Sequence, residues 1–178
     1  MTQFPSWPPD IAAERLRLRP VTLEDAAPMA RLADDLDIAR MTTSIPYPFH
    51  VADAESFIAR MAAADRAREA LFGVELPADG LIGVVGLHPN DQDRVEVGYW
   101  LGRPYWGRGY MTEAVERVLL WAREEWGRAI LASGHFADNP ASAAVLIKAG
   151  FLYTGERRAR FSLAREAEAE TRMMIWLA

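Results

Sequence analysis

The chain contains no cysteine. Disulfide frameworks, thiolate zinc sites and cysteine nucleophiles are therefore excluded. Histidine is nearly as scarce: His50, His88 and His135 stand far apart and form no HExxH pair. A histidine-built metal centre is not expected, and no metal is assigned. No apolar run approaches the ~20 residues that a membrane helix needs. The opening MTQFPSWPPD has no basic start followed by an apolar stretch, so it does not read as a secretory leader. Excess positive charge is missing too. The 20 Lys and Arg are outnumbered by 25 Asp and Glu, a net charge of -5, which disfavours a general nucleic-acid-binding surface. The expectation is a cytoplasmic protein that engages neither membrane nor nucleic acid.

What is present suits a packed core. The 178 residues are 51% hydrophobic and 25% charged, within the range of one compact domain spanning 1–178. The proline-rich opening, residues 1–13, is expected to be a loosely held tail. Arg15 to Arg19 alternates with period two and reads as a half-buried strand carrying Leu16 and Leu18 inward. Thr22 and Asp25 form a capping-box pattern ahead of a helix over 23–32. Further helical stretches are expected over 34–40 and 51–68. Leu71–Leu76 and Leu81–Leu87 flank the turn Pro77-Ala-Asp-Gly80 and predict a hairpin. His88 to Asp93 reads as a turn, and Val95–Leu101 as a third strand. Thr112–Trp126 is an amphipathic helix with Met111, Val115, Val118, Leu119, Ala122 and Trp126 on one face. A strand over 129–136, a helix over 142–149 and strands over 151–161 and 171–177 complete the chain. The acidic stretch 163–170 reads as a mobile connection, and Arg157, Arg158 and Arg160 as a solvated strand face. Three consecutive antiparallel strands before one crossover helix give an α/β (α+β) mixed sheet, not a doubly wound one.

The chemistry concentrates in Val95-Glu-Val-Gly-Tyr-Trp-Leu-Gly-Arg-Pro-Tyr-Trp-Gly-Arg-Gly-Tyr-Met-Thr-Glu-Ala114, a strand, a glycine loop and a helix. Glycines let a loop curl so that successive amide N–H groups turn the same way, and the helix behind adds its own free N–H groups and positive dipole end. Such a loop suits a phosphate or pyrophosphate, although a plain strand-to-helix turn has the same composition. Other phosphate motifs are absent: there is no GxxxxGK[ST], and no GxGxxG after an early strand.

This segment resembles the GNAT acyltransferase superfamily, most closely its RimJ/RimL-type N-acetyltransferase branch. The resemblance rests on Glu96-Val-Gly-Tyr-Trp-Leu101 and Pro104-Tyr-Trp-Gly-Arg-Gly-Tyr-Met-Thr-Glu-Ala114. It is extended by Asn139-Pro-Ala-Ser142, by Leu146-Ile-Lys-Ala-Gly-Phe151 and by the opening Glu14-Arg-Leu-Arg-Leu-Arg-Pro20. It covers residues 14 to 177, with its motifs in the family order. It implies a central, mostly antiparallel sheet, splayed at the cofactor site and flanked by helices.

The resemblance also implies acetyl-CoA as co-substrate. Its pyrophosphate would be bound by backbone N–H groups of Gly107, Arg108, Gly109, Tyr110, Met111 and Thr112, and its pantetheine arm by backbone groups of Tyr99, Trp100 and Leu101. Gly98 is the expected bulge residue of the splayed strand. Asn139 matches a position on the pantetheine side, and Ser142 a hydroxyl near the sulfur. Trp106 and Met111 depart from the superfamily's usual loop residues; Met111 is expected to turn its side chain into the core and leave its N–H in place. The implied reaction is acetyl transfer to a primary amine (a protein N-terminus, an amino acid or a small molecule) by direct attack in a ternary complex. Glu96 is the preferred general base and Ser142 the thiolate partner. A surface or salt-bridge role for Glu96 and a helix-start role for Ser142 are the structural alternatives. Arg103, Arg108 and Lys148 are candidates for phosphate contact, and the Tyr47-Pro-Phe49 loop for shaping the acceptor site. The rival readings are a non-catalytic acyl-CoA-binding module and a transferase for a longer acyl chain. Family members often pair, so a homodimer is a further expectation.

Overall fold

A computed structural model describes residues 7–178. Eight strands form one sheet: β1 (Ile11–Ala12), β2 (Arg17–Pro20), β3 (Ala70–Leu76), β4 (Gly80–Pro89), β5 (Val95–Leu101), β6 (Ile130–Phe136), β7 (Leu152–Ser162) and β8 (Ala167–Leu177). Their order is β1-β2-β3-β4-β5-β6-β8-β7, antiparallel throughout except where β5 meets β6 in parallel. The helices are α1 (Ala26–Ala33), α2 (Leu36–Ala39), α3 (Val51–Ala62), α4 (Tyr110–Glu124) and α5 (Pro140–Lys148). This is the mixed, mostly antiparallel sheet with flanking helices that the sequence predicts.

Alternation along the strands sends side chains to two separate cores. On one face, Phe72, Val85, Leu87 and Val97 pack beneath α4 through Val115, Val118 and Leu119, with Leu146 of α5 joining them. On the other, Leu71, Leu81 and Val84 pack against Met29 and Ala33 of α1 and Ala54 and Ile58 of α3. Each fully buried Leu, Val or Phe contributes about 1.5–3 kcal/mol by leaving water, so both helix layers are held by the same sheet.

Several expectations shift. Arg15 and Leu16 precede the strand, which begins at Arg17. α3 stops at Ala62 rather than running on to 68. His88 lies in β4 rather than in a turn. α4 ends at Glu124, so Trp126 lies beyond it, and Trp121 takes the buried place on the helix while Trp126 stacks on it at 5.3 Å. The stretch 163–170 is not a mobile connection. It forms the turn and start of β8, with Leu163 N–H donating to Thr43 O (3.2 Å) and the Arg165 guanidinium gripping Asp138 at 2.9 Å.

The expected tail is corrected in part. Residues 1–6 lie outside the described residues, but from Trp7 onward the segment is docked. The Trp7 indole donates to Glu69 O (2.9 Å) and meets Trp121 edge-on at 5.6 Å, and Ile11 pairs with Leu18. An aromatic body of this size outweighs the entropy of a short proline-rich segment. Trp7→Ala is expected to lower stability by about 2–3 kcal/mol, read by urea unfolding followed by circular dichroism. A change below a few tenths would show that the segment is not docked in solution.

Candidate functional site: a cleft through the parted sheet

The sheet is open where β5 leaves β6. Only Glu96 pairs with Ala132, and the Ser133 hydroxyl closes that end by donating to Val97 O at 2.8 Å. Beyond it the strands diverge. On its other side β5 is paired with β4 without interruption from Val95 to Leu101. Gly98 is therefore not at a bulge; the parting comes from the loss of β6, not from an extra residue in β5. Gly102 N–H donates to Ile82 O (2.8 Å). By the alternation of an antiparallel ladder, Trp100 and Gly98 then turn their backbone groups to β4, and Tyr99 and Leu101 turn theirs to the gap. Trp106 Nε1–H already occupies Leu101 O at 2.7 Å. Tyr99 N–H, Tyr99 C=O and Leu101 N–H remain as the gap's free edge. Trp100, expected among the backbone contacts, instead offers its side chain on the opposite face, in the α1–α3 core.

The glycine loop abuts this gap. Gly107 and Gly109 have φ of 73° and 77°, the left-handed region that favours glycine, and Gly109 caps α4 without a side-chain hydrogen bond. None of the N–H groups from Gly107 to Thr112 donates to a protein acceptor among the described residues. Six donors thus converge at the positive end of a 15-residue helix. Met111 is 5% exposed and points into the core, which leaves its N–H in place.

The loop is braced by Arg15, which the sequence reading treated as a strand arginine. Its guanidinium donates to Arg108 O (2.9 Å) and to Glu113 Oε2 (2.7 Å) and lies 4.7 Å from the Tyr110 ring centroid. Its own N–H donates to Glu113 Oε1 (2.7 Å). The signal was available in Glu113, a carboxylate in the first turn of α4, but only the fold shows which arginine meets it. Arg103, a candidate for phosphate contact, is instead fixed to Asp35 (2.6 Å) and Asp37 (2.7 Å). Arg108 and Lys148 make no ion pair among the described residues.

Asn139 and Ser142 stand across the gap on α5. Asn139 Oδ1 accepts from Ser142 N–H (3.1 Å) and so caps the helix, leaving its amide NH2 free toward the cleft. Ser142 Oγ and the Tyr99 hydroxyl are 2.9 Å apart, and Tyr99 also donates to Ser142 O (3.1 Å). Burial pushes the Tyr99 hydroxyl well above its usual value, only partly offset by Ser142. The phenol therefore stays protonated and ties β5 to α5.

The gap opens into a cleft of about 1240 Å³ that passes from the loop through the sheet to the face covered by α1–α3. Phe49 lines it; Tyr47 is half exposed and does not. Glu96 also lies on that face, opposite His88. It is 5% exposed and held by both terminal nitrogens of Arg160, with the Nη2 contact at 2.8 Å. Burial pushes its carboxyl up. The hydrogen bonds and charge of Arg160, with smaller help from His88 and Asn90, outweigh that and hold it below its usual value. The group is ionised at neutral pH but weakly basic, and its geometry is that of the salt-bridge alternative. Arg158 pairs likewise with Asp91 (2.7 Å) and Glu156 (2.7 Å). These two β7 arginines are thus ion-paired, not solvated.

The comparisons with known proteins agree with this architecture. The acetyltransferase (GNAT) domain profile matches residues 15–152. The chain is similar to the uncharacterized N-acetyltransferase p20 of Bacillus licheniformis, 32% identical over 110 residues, 60% of this chain and 61% of that protein. The match therefore spans less than two thirds of p20. It is similar also to the uncharacterized N-acetyltransferase YoaA of Bacillus subtilis (strain 168), 27% identical over 154 residues, 84% of this chain and 86% of that one. Among solved structures, Mycobacterium smegmatis RimJ in complex with CoA-disulfide superposes with a TM-score of 0.83 at 22% identity, over 99% of this chain and 90% of that one.

Glu96→Gln keeps the shape of the pair and removes its charge. The folded carboxyl titrates below its ordinary value of 4.5, so the stabilisation is complete above that pH and is lost as the pH falls through the lower folded value. The variant is expected to be about 2 kcal/mol less stable than the wild type at pH 7. That difference should shrink progressively below the ordinary value. A difference unchanged down to pH 3 in paired unfolding curves would contradict the assignment.

Proposed function

The chain belongs to the acetyltransferase (GNAT) family, and from that premise we propose that it carries an acetyl group from acetyl-CoA to a primary amine in a ternary complex, the whole chain acting as one domain. The observation that carries this reading is the parted edge of β5 beside six free N–H groups at the head of α4. An anionic diphosphate matches the loop of Gly107, Arg108, Gly109, Tyr110, Met111 and Thr112. An amide-bearing arm can pair with Tyr99 and Leu101 as a strand would, and Asn139 offers a further donor. The RimJ neighbour, in complex with CoA-disulfide, is a protein of this fold.

The acetyl thioester would then lie in the gap, with the amine arriving from the α1–α3 face. Nitrogen attacks the carbonyl carbon, the C–N bond forms, the C–S bond breaks, and sulfur leaves as thiolate. With the arm on Tyr99 C=O and Leu101 N–H, Tyr99 N–H is left to stabilise the oxyanion. Ser142 Oγ, already hydrogen-bonded to the protonated Tyr99, is the group to receive or protonate the thiolate. Glu96 takes the amine's surplus proton through a water after attack. Held by Arg160, it is too weak to strip a free ammonium. The amine must therefore enter neutral, at a cost of about 4–5 kcal/mol for a lysine-like group at pH 7 and about 1 kcal/mol for an α-amine.

Thiol release from acetyl-CoA with a panel of amines tests this directly. Release is expected to depend on the amine, and kcat/KM to rise with pH along the amine's own titration. Binding of CoA without amine-dependent release would favour a non-catalytic binding module. Gly109→Val forces a branched side chain into φ of 77°, with its Cβ placed 3.5 Å from Arg15 Nη2. It is expected to weaken CoA binding at least tenfold by calorimetry; unaltered affinity would remove the loop from the site.

A further inference from the structure

If the co-substrate enters the gap from the α4–α5 side, the acceptor has only the opposite mouth of the cleft. That mouth is walled by Ile45, Phe49, Phe57, Met61, Val84 and Trp100. Its floor is bare, because Gly86 and Gly98 face each other across β4 and β5 on this side of the sheet. The walls therefore favour an apolar body.

All but one of the carboxylates there are paired with an arginine. Of the carboxylates lining the cleft, Asp37 is paired with Arg103 (2.7 Å), Glu69 with Arg60 (3.8 Å), Glu96 with Arg160, and Asp138 with Arg165 (2.9 Å). Asp53 accepts His50 N–H at 2.8 Å in its own helix cap. Asp53 has no cationic partner among the described residues and could take one further ammonium; each beyond that would have to displace an arginine or stand against apolar walls.

Two buried polar atoms on cleft-lining residues lack a hydrogen-bond partner among the described residues: Arg40 Nε, which stands 3.5 Å from the Asp37 carboxylate, and Thr171 Oγ1, which faces no charge partner. Thr171 lines the cleft at 3% exposure, and its hydroxyl is buried behind that surface without a hydrogen-bond partner among the described residues. Thr171 is on β8, and its methyl is 2.9 Å from where a side chain on Gly134 would begin. Gly134 lies two residues along β6 from the Glu96–Ala132 pair, as Gly98 does along β5. Thr171 thus sits beside the inner end of the gap. A buried hydroxyl without a partner is unfavourable until a ligand supplies one.

We propose that the acceptor is a monoamine carried on an apolar or aromatic body, its nitrogen received by the Thr171 hydroxyl where the cleft meets the gap. The inference rests on the acetyl-transfer reading and adds the acceptor's chemical class. It is tested with the full chain and acetyl-CoA, comparing 2-phenylethylamine and tryptamine with spermidine and spermine. The aromatic monoamines are expected to show at least tenfold higher kcat/KM. Thr171→Val should raise KM for 2-phenylethylamine about tenfold with CoA affinity unchanged, and Thr171→Ser should restore it to within about threefold. Equal or better use of the polyamines, or an unchanged KM in Thr171→Val, overturns the proposal. If no amine elicits CoA release, the transfer reading itself fails, and calorimetry on CoA-saturated protein decides the acceptor class. Binding of 2-phenylethylamine at least tenfold tighter than spermidine supports the proposal, and its absence overturns it.

Discussion

The structure depends on a sheet that is allowed to come apart at one place. β5 and β6 share a single pairing, Glu96 with Ala132, and the next strand residues diverge. An open edge inside a sheet is unfavourable, since each unpaired N–H and C=O must find water, a side chain or a ligand. The surrounding residues hold the opening at a set width. Ser133 pins its closed end to Val97, Tyr99 spans it to Ser142, and Trp106 covers Leu101 O. What stays free is a short strip of backbone with the same polarity as a missing strand, and it leads to the N-terminus of α4.

The two sides of the opening are electrostatically unlike. On the loop side, partial positive charge gathers from unpaired N–H groups and the helix dipole, and Arg15 stabilises the curl by bonding a loop carbonyl and an acidic side chain of the first turn. On the α1–α3 side, the carboxylates are paired with arginines except Asp53, which caps its own helix, and apolar side chains form much of the wall. The Glu96–Arg160 pair shows how. A carboxylate on β5 would be expensive to bury alone; the β7–β8 hairpin folds an arginine over it from the far edge of the sheet. A mouth rich in free N–H donors and a largely apolar one thus open onto the same gap from opposite faces.

Much of this was legible in the residues. Val95–Leu101 matches its strand without change, because alternation and a following glycine bound it on both sides. The hairpin of β3 and β4 follows from Pro77-Ala-Asp-Gly80. The loop's free N–H groups follow from Gly107 and Gly109, whose positive φ no other residue adopts as readily. What escaped was long-range. The Thr22–Asp25 capping box forms as the pattern indicates, but Arg15 finds Glu113 98 residues away, and Arg160 finds Glu96 across 64. A charged residue on a short-period pattern looks solvated until its partner is placed, and no local rule places it. The stretch 163–170 failed for the same reason: its acidic composition suggested solvent, while the pairing of Ala167 to Glu170 with β7 and the grip of Arg165 on Asp138 made it strand and anchor. Trp7 likewise belongs to a cluster whose other members, Trp121 and Trp126, lie more than a hundred residues on.

The central claim is that the parted strand and the loop beside it form one continuous binding surface for coenzyme A. Residue-resolved amide hydrogen exchange with and without CoA tests it most directly. The account predicts slowed exchange at Tyr99 and Leu101 together with the amides from Gly107 to Thr112, and no comparable change along β1 to β3. Saturation by CoA that leaves Tyr99 and Leu101 exchanging as before, or that protects a different segment, would contradict it.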